Sequence, residues 1–157
     1  MEVEKKPRQH LENTQYILLY FLGNISNDRM KEINTFAKEN NLEIIDVMNQ
    51  DSKYYNIGPS EFIYLIHNAF LICTDSFHAS VFSFIFNNPF VVFNREDNLK
   101  SMNARIENFI DTFVLENRRF NGKITKENLE HNYYKGYTIL EKEQNKSEEF
   151  LKKICDE

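Results

Sequence analysis

Ala69-Phe70-Leu71-Ile72-Cys73-Thr74-Asp75-Ser76-Phe77-His78-Ala79-Ser80-Val81-Phe82-Ser83 passes from an apolar run, through a polar turn, into a second apolar stretch. Phe70–Cys73 has the length and unbroken hydrophobicity of a strand covered on both faces, which belongs in a parallel sheet. Thr74-Asp75-Ser76 supplies turn and cap chemistry, and Phe77 to Phe86 reads as a buried helix. Working back toward the N-terminus, Pro59 suits the first turn of a helix ending near Asn68, with Phe62, Ile63, Leu65 and Ile66 as its apolar stripe. Leu42–Met48 is a strand, and Ser26 or Asn27 caps a helix broken at Asn40-Asn41. Tyr16–Leu22 is a further strand, ended by Gly23-Asn24. Toward the C-terminus, Asn87-Asn88-Pro89 leads into a fourth strand, Pro89–Phe93. Strands joined by helices of this length need right-handed crossovers, so the fold class is α/β with a parallel sheet flanked by helices.

Beyond Asn94 the chain carries a charged loop and then a helix from about Leu99 to Val114, with Ile106, Phe109, Ile110 and Phe113 on one face. Two further helical stretches are expected, near Lys126–Glu143 and Ser147–Ile154. The division that results is a polar linker or disordered tail over 1–15, a single domain over 16–154 and a tail over 155–157. With 157 residues the chain fits one domain able to bury roughly two-thirds of its unfolded surface.

A net charge of -5 gives no general attraction to nucleic acid or anionic lipid, since both need clustered Lys and Arg. Lys5, Lys6 and Arg8 form a single short basic run, which reads as a solvated tail. Cys73 and Cys155 have neither metal-site nor disulfide spacing and fit a reducing compartment. No apolar run reaches the roughly 20 residues that span a bilayer, and the N-terminus lacks a signal-peptide core. The expected location is the cytoplasm. With no G-x-G-x-x-G, Walker loop, H-E-x-x-H or cysteine cluster, the sequence points away from dinucleotide, ATP and zinc chemistry, and no cofactor is expected.

In an open parallel sheet the ligand crevice lies beyond the C-terminal strand ends. That rule selects the loops Gly23–Asn27, Asn49–Ser60, Thr74–His78 and Asn94–Asn98. The third is chemically densest. A helix start there favours an anion, and His78 is the best general acid or base because imidazole titrates near physiological pH. The alternative is that Asp75 or Ser76 caps the helix while His78 bonds a neighbouring loop. His67 reads as a cation at a helix C-terminus. Arg95 and Arg105 can clamp an oxyanion, or else pair with Glu96 or Glu107. Glu61, on a first helical turn, can simply complement the helix dipole.

Gly58-Pro59-Ser60-Glu61-Phe62, the strand-turn-helix quoted above with its Thr-Asp-Ser-Phe-His core, and Asn87-Asn88-Pro89-Phe90 together resemble the polysaccharide pyruvyl transferase family. Arg105-Ile106-Glu107-Asn108 and Ser147-Glu148-Glu149-Phe150-Leu151 extend the resemblance, which covers nearly everything from Tyr16 to Ile154. It implies a glycosyltransferase-B-like enzyme of two Rossmann-like domains with its active site between them, of which this chain is the C-terminal half. The N-terminal domain is then a missing partner, without which the chain is not active.

The implied reaction moves the pyruvyl group of phosphoenolpyruvate onto a sugar of a bacterial cell-surface polysaccharide, an exopolysaccharide or its precursor. The resemblance makes His78 the general acid and places Thr74, Asp75, Ser76, Phe77, Arg95 and Glu61 around the donor. Some relatives carry Arg where Ser76 stands, and the difference removes a clamp worth about 1.5 to 3 kcal/mol if buried. Arg95 is a replacement for that charge. A nucleotide-sugar donor is the alternative, and so is a non-catalytic docking module using Tyr20, Tyr54, Tyr55 and Tyr64. Peripheral attachment at the inner face of the membrane and a homodimer complete the expected associations.

Overall fold

A computed structural model of the chain describes residues 3–7, 15–95 and 100–155. The order of elements is β1 (Tyr16–Tyr20), α1 (Asn27–Glu39), β2 (Glu43–Asp46), α2 (Pro59–His67), β3 (Leu71–Thr74), α3 (Phe77–Ile85), β4 (Phe90–Val92), α4 (Lys100–Phe113) and α5 (Tyr134–Cys155). Two 3-10 turns, Glu116–Arg118 and Lys126–Leu129, lie between α4 and α5. The strands pair in parallel in the order β2-β1-β3-β4, with Tyr20 beside Thr74 and Thr74 beside Val92. This is the expected α/β, Rossmann-like sheet with extra C-terminal helices. The strand order reverses between β1 and β3, and that is where such sheets open a crevice.

The continuous apolar runs are explained by two cores. Leu18, Ile45, Ile72 and Phe90 point to one face, where Leu65, Ile66, Phe84, Ile106 and Ile110 from α2, α3 and α4 cover them. Ile17, Leu19, Leu71, Cys73 and Val91 point to the other, against Ile33 and Ala37 of α1 and Ile124. β1, β3 and β4 therefore alternate between two buried sides and have no polar face to show, while the edge strand β2 exposes Glu43. The break expected at Asn40-Asn41 is there: Asn41 adopts φ 54°, a left-handed conformation that Asn tolerates better than most residues.

The C-terminal third differs from expectation. Residues expected to open a helix near Lys126 form a 3-10 turn instead, because Asn128 caps it: its Oδ1 accepts the Thr125 N–H at 2.7 Å. The two expected helices are one. Between Glu143 and Ser147 there is neither Gly nor Pro, and α5 runs through without a break. Of the expected tails, residues 1, 2, 8–14, 156 and 157 lie outside the described residues, as do Glu96–Leu99 of the charged loop. Residues 3–7 lie against α2, where the Lys5 N–H donates to Ser60 O at 3.2 Å and Glu4 Oε1 sits 2.7 Å from His67 Nδ1. Among the described residues no helix is long and apolar enough to cross a membrane, and no group of three His, Cys, Asp or Glu is placed to hold a metal ion.

Candidate functional site

Three loops meet at the C-terminal edge of the sheet, and Asp75 fastens them. Leaving β3, its carboxylate accepts the backbone N–H groups of Leu22 and Gly23 at 2.7 and 2.8 Å, which fixes the loop after β1. The same carboxylate lies 3.1 Å from Nε of Arg95, just past β4. Thr74 adds a second tie. Its hydroxyl donates to Tyr20 O at 2.6 Å and accepts the Ser76 N–H at 3.0 Å. With its single proton committed to Tyr20, Thr74 has no donor left for an anion. Thr74 and Asp75 thus hold the frame in place.

Ser76 occupies the N-cap of α3, yet its side chain makes no capping bond. The first intrahelical bond runs from Ser80 N–H to Ser76 O at 3.1 Å. The N–H groups of Phe77, His78 and Ala79 therefore precede the helical ladder, and they carry the positive end of the helix dipole. The expected cap does not form from either candidate: Asp75 turns to the neighbouring loop instead.

Arg95 is held through its backbone by Asn103 of α4, whose Oδ1 accepts the Arg95 N–H at 3.1 Å and whose Nδ2 donates to Arg95 O at 3.3 Å. Its side chain is 6% exposed. Although Nε is within ion-pair distance of Asp75, the N–H is not aligned for a hydrogen bond, and both Nε and Nη2 are buried without a hydrogen-bond partner among the described residues. A buried donor left unsatisfied costs about 1–3 kcal/mol. Tyr54 and Arg118 each have one such atom, but Arg95 has two and stands at the strand ends.

His78 is exposed on the first turn of α3. It makes no hydrogen bond among the described residues and touches the edge of Phe77, with ring centroids 5.6 Å apart. Phe77 turns inward against Phe109, while the guanidinium of Arg105 lies 4.8 Å over its ring. Arg105 is thus a cation over an aromatic face. Its expected partner Glu107 pairs instead with Arg119, which also meets Asp111 at 2.6 Å. Glu96 lies outside the described residues.

Glu61 turns back on its own helix, Oε2 accepting the Gly58 N–H at 2.8 Å, the one half of a capping box that a glycine N-cap allows. That bond gives it a structural task at the start of α2. Tyr54 is buried, Tyr20 packs on Phe62, and of the four expected docking tyrosines Tyr55 is the exposed one. His67 closes α2 as expected, paired with Glu4 and stacked on Phe86 at 4.7 Å. An apolar groove of about 690 Å³, lined by Val3, Ile63, Tyr64, Phe82 and Ile85, contains one of the docking tyrosines, Tyr64, and none of the residues expected around the donor.

The structure thus assembles Asp75, Ser76, Arg95 and the start of α3 into one polar corner with His78 at its rim. Asn103 was not singled out from sequence. A lone Asn on an amphipathic helix gives no periodic or spacing signal that it brackets a residue eight positions earlier.

Residues 2–98 match the family model described as polysaccharide pyruvyl transferase. No curated protein matches the chain.

Proposed function

The chain belongs to the polysaccharide pyruvyl transferase family, and from that membership we propose that it is the donor-binding half of an enzyme moving a pyruvyl group from phosphoenolpyruvate to a sugar of a cell-surface polysaccharide. The observation that carries this reading is the corner itself. An uncapped helix start stands beside the buried side chain of Arg95 (6% exposed), whose Nε and Nη2 have no hydrogen-bond partner among the described residues. Both features favour an oxyanion, and the guanidinium suits a carboxylate or phosphate.

In this proposal the phosphate and carboxylate of the donor lie on the first turn of α3 and on Arg95. Ser76, whose side chain makes no capping bond, lines the same place. Thr74 and Asp75 keep the corner in shape. His78 gives its proton to the methylene carbon, so that the C=C electron pair forms the new C–H bond and positive charge develops at the carbon bearing phosphate. One acceptor hydroxyl adds to that carbon, the C–O bond to phosphate breaks with its electrons going to phosphate, and a second hydroxyl closes the ketal. Of the two hydroxyl protons released, one restores His78 and the other leaves on hydrogen phosphate. The acceptor is held by the N-terminal half of the enzyme, and the reaction takes place in the cytoplasm at the inner face of the membrane.

An NMR titration of the isotope-labelled chain tests the donor site, with phosphoenolpyruvate, inorganic phosphate and a nucleotide sugar added separately. Saturable shifts at Ser76 to Ala79 and Arg95 with phosphoenolpyruvate, and weaker ones with phosphate, are expected. Equal response to every anion would reduce the corner to a generic helix-end site. A response confined to the nucleotide sugar would replace pyruvyl transfer by glycosyl transfer.

A further inference from the structure

At the end of β4 the Phe93 N–H donates to Thr74 O at 2.9 Å, and beyond that bond the chain leaves the sheet before it reaches Arg95. What holds Arg95 there is a side chain. Asn103 Oδ1 accepts the Arg95 N–H at 3.1 Å, and Nδ2 donates to Arg95 O at 3.3 Å. A carboxamide carries an acceptor and a donor side by side, so Asn103 serves Arg95 as a neighbouring strand serves a residue in a ladder. Asn stands low among helix formers and usually bonds to backbone close by. On α4 its amide reaches a residue eight positions earlier instead.

The same helix bears on the other half of the polar corner. Phe109 meets the edge of the Phe77 ring at 6.0 Å and Arg105 lies 4.8 Å over its face, so the first residue of α3 rests on α4. Ile106, Phe109 and Ile110 are buried, which makes α4 a firm mount. One helix thus bears on both parts of the corner, the uncapped start of α3 through Phe77 and the buried guanidinium through the Arg95 backbone. Nε and Nη2 of that guanidinium have no hydrogen-bond partner among the described residues, so the backbone anchor sets where the side chain reaches from. A binding group held in place before its ligand arrives binds more tightly, because ordering it on binding costs affinity.

We infer that Asn103 is a positioning residue for donor binding, which fixes the span between the Arg95 guanidinium and the start of α3 by tying the end of β4 to α4. This rests on the donor site proposed for the corner and adds that its affinity is set from α4, by a residue that does not touch the donor.

Isothermal titration calorimetry of the 157-residue chain with phosphoenolpyruvate tests this as a double-mutant cycle, with circular dichroism melts showing that each variant is folded. Asn103→Leu, close in size but without donor or acceptor, and Arg95→Gln are each expected to weaken binding by about tenfold. The helix start holds the binding that remains. The double variant is expected to bind no more weakly than Arg95→Gln alone, since a residue that acts through another then has nothing left to act on. Asn103→Gln, with the same amide on a longer arm, should fall between Asn103→Leu and the parent, and it takes the place of the leucine variant in the cycle if that variant does not fold. Undiminished binding by the Asn103 variant, or losses that multiply in the double variant, would overturn the inference and leave Asn103 a general structural role. A parent chain that does not bind phosphoenolpyruvate, or an Arg95→Gln variant that binds like the parent, would overturn the donor site itself, and the positioning role with it.

Discussion

His78 stands in solvent and touches little apart from Phe77, so its substitution should separate chemistry from folding. His78→Gln is expected to lower turnover of the assembled transferase by about a hundredfold or more while leaving the melting temperature unchanged. An activity assay paired with a thermal melt decides it, and near-normal turnover would remove His78 from the mechanism. Asp75 should behave in the opposite way. Asp75→Ala leaves two backbone N–H groups without their acceptor and the buried Arg95 without its counter-ion. A loss of about 3–5 kcal/mol in unfolding free energy is expected, measured by urea titration. The placement of these two residues at one strand-turn-helix junction was legible in the sequence, because such a junction concentrates polar groups at a predictable edge. Their division of labour was not. Whether a carboxylate caps its own helix or reaches a loop more than fifty residues away depends on strand order, which local spacing does not encode.

At the level of single elements, α5 shows how a close contact overrides local preference. Alanine favours helices over glycine by about 1 kcal/mol, yet a Cβ at Gly136 would lie 2.8 Å from a ring carbon of Phe84 and 2.9 Å from the Phe113 carbonyl. Gly136→Ala is therefore expected to destabilise the domain by about 1–3 kcal/mol in chemical denaturation, the overpacking effect exceeding the propensity gain. The segment before α5 depends on a different device. Arg118 is fully buried and donates to the carbonyls of Asn128 and Glu130, while its guanidinium lies 4.7 Å over the Tyr133 ring. Substituting methionine there should loosen residues 126–133, measured as faster amide exchange in that stretch. The helices and strands up to β4 were legible because each has a strong period and a clear stop signal. Residues 115–133 were not, since side-chain bonds from Asn128 and Arg118 replace periodicity as the organising force.

Across the whole molecule, two apolar layers enclose the sheet, and phenols are set into one of them. Burial pushes the Tyr16 and Tyr133 hydroxyls up from their ordinary range, where they donate to Leu65 O and Asn88 O at 2.9 and 2.7 Å. The unfolded chain releases these protons near pH 10. The folded chain holds them longer, so the stability they contribute is fully present below about pH 10 and falls as pH rises from there toward the higher folded-state values. Denaturant midpoints should be level from neutrality to about pH 9 and decline by about pH 11. Tyr133→Phe should flatten part of that decline. The α/β architecture was legible at this scale too, because runs that are apolar on both faces admit few arrangements besides a covered parallel sheet.

The fastening of three loops by one carboxylate also bears on motion. Leu22 is 44% exposed and Gly23 lies outside regular structure, positions whose amides would ordinarily trade hydrogen for deuterium quickly. Because both bond to Asp75, they can exchange only when the end of β3 lets go of them. That release also frees the buried guanidinium past β4. The corner therefore has one opening rate where three independent loops would have three, and a ligand that slows exchange at Arg95 should slow it equally at Leu22, on the far side of β3.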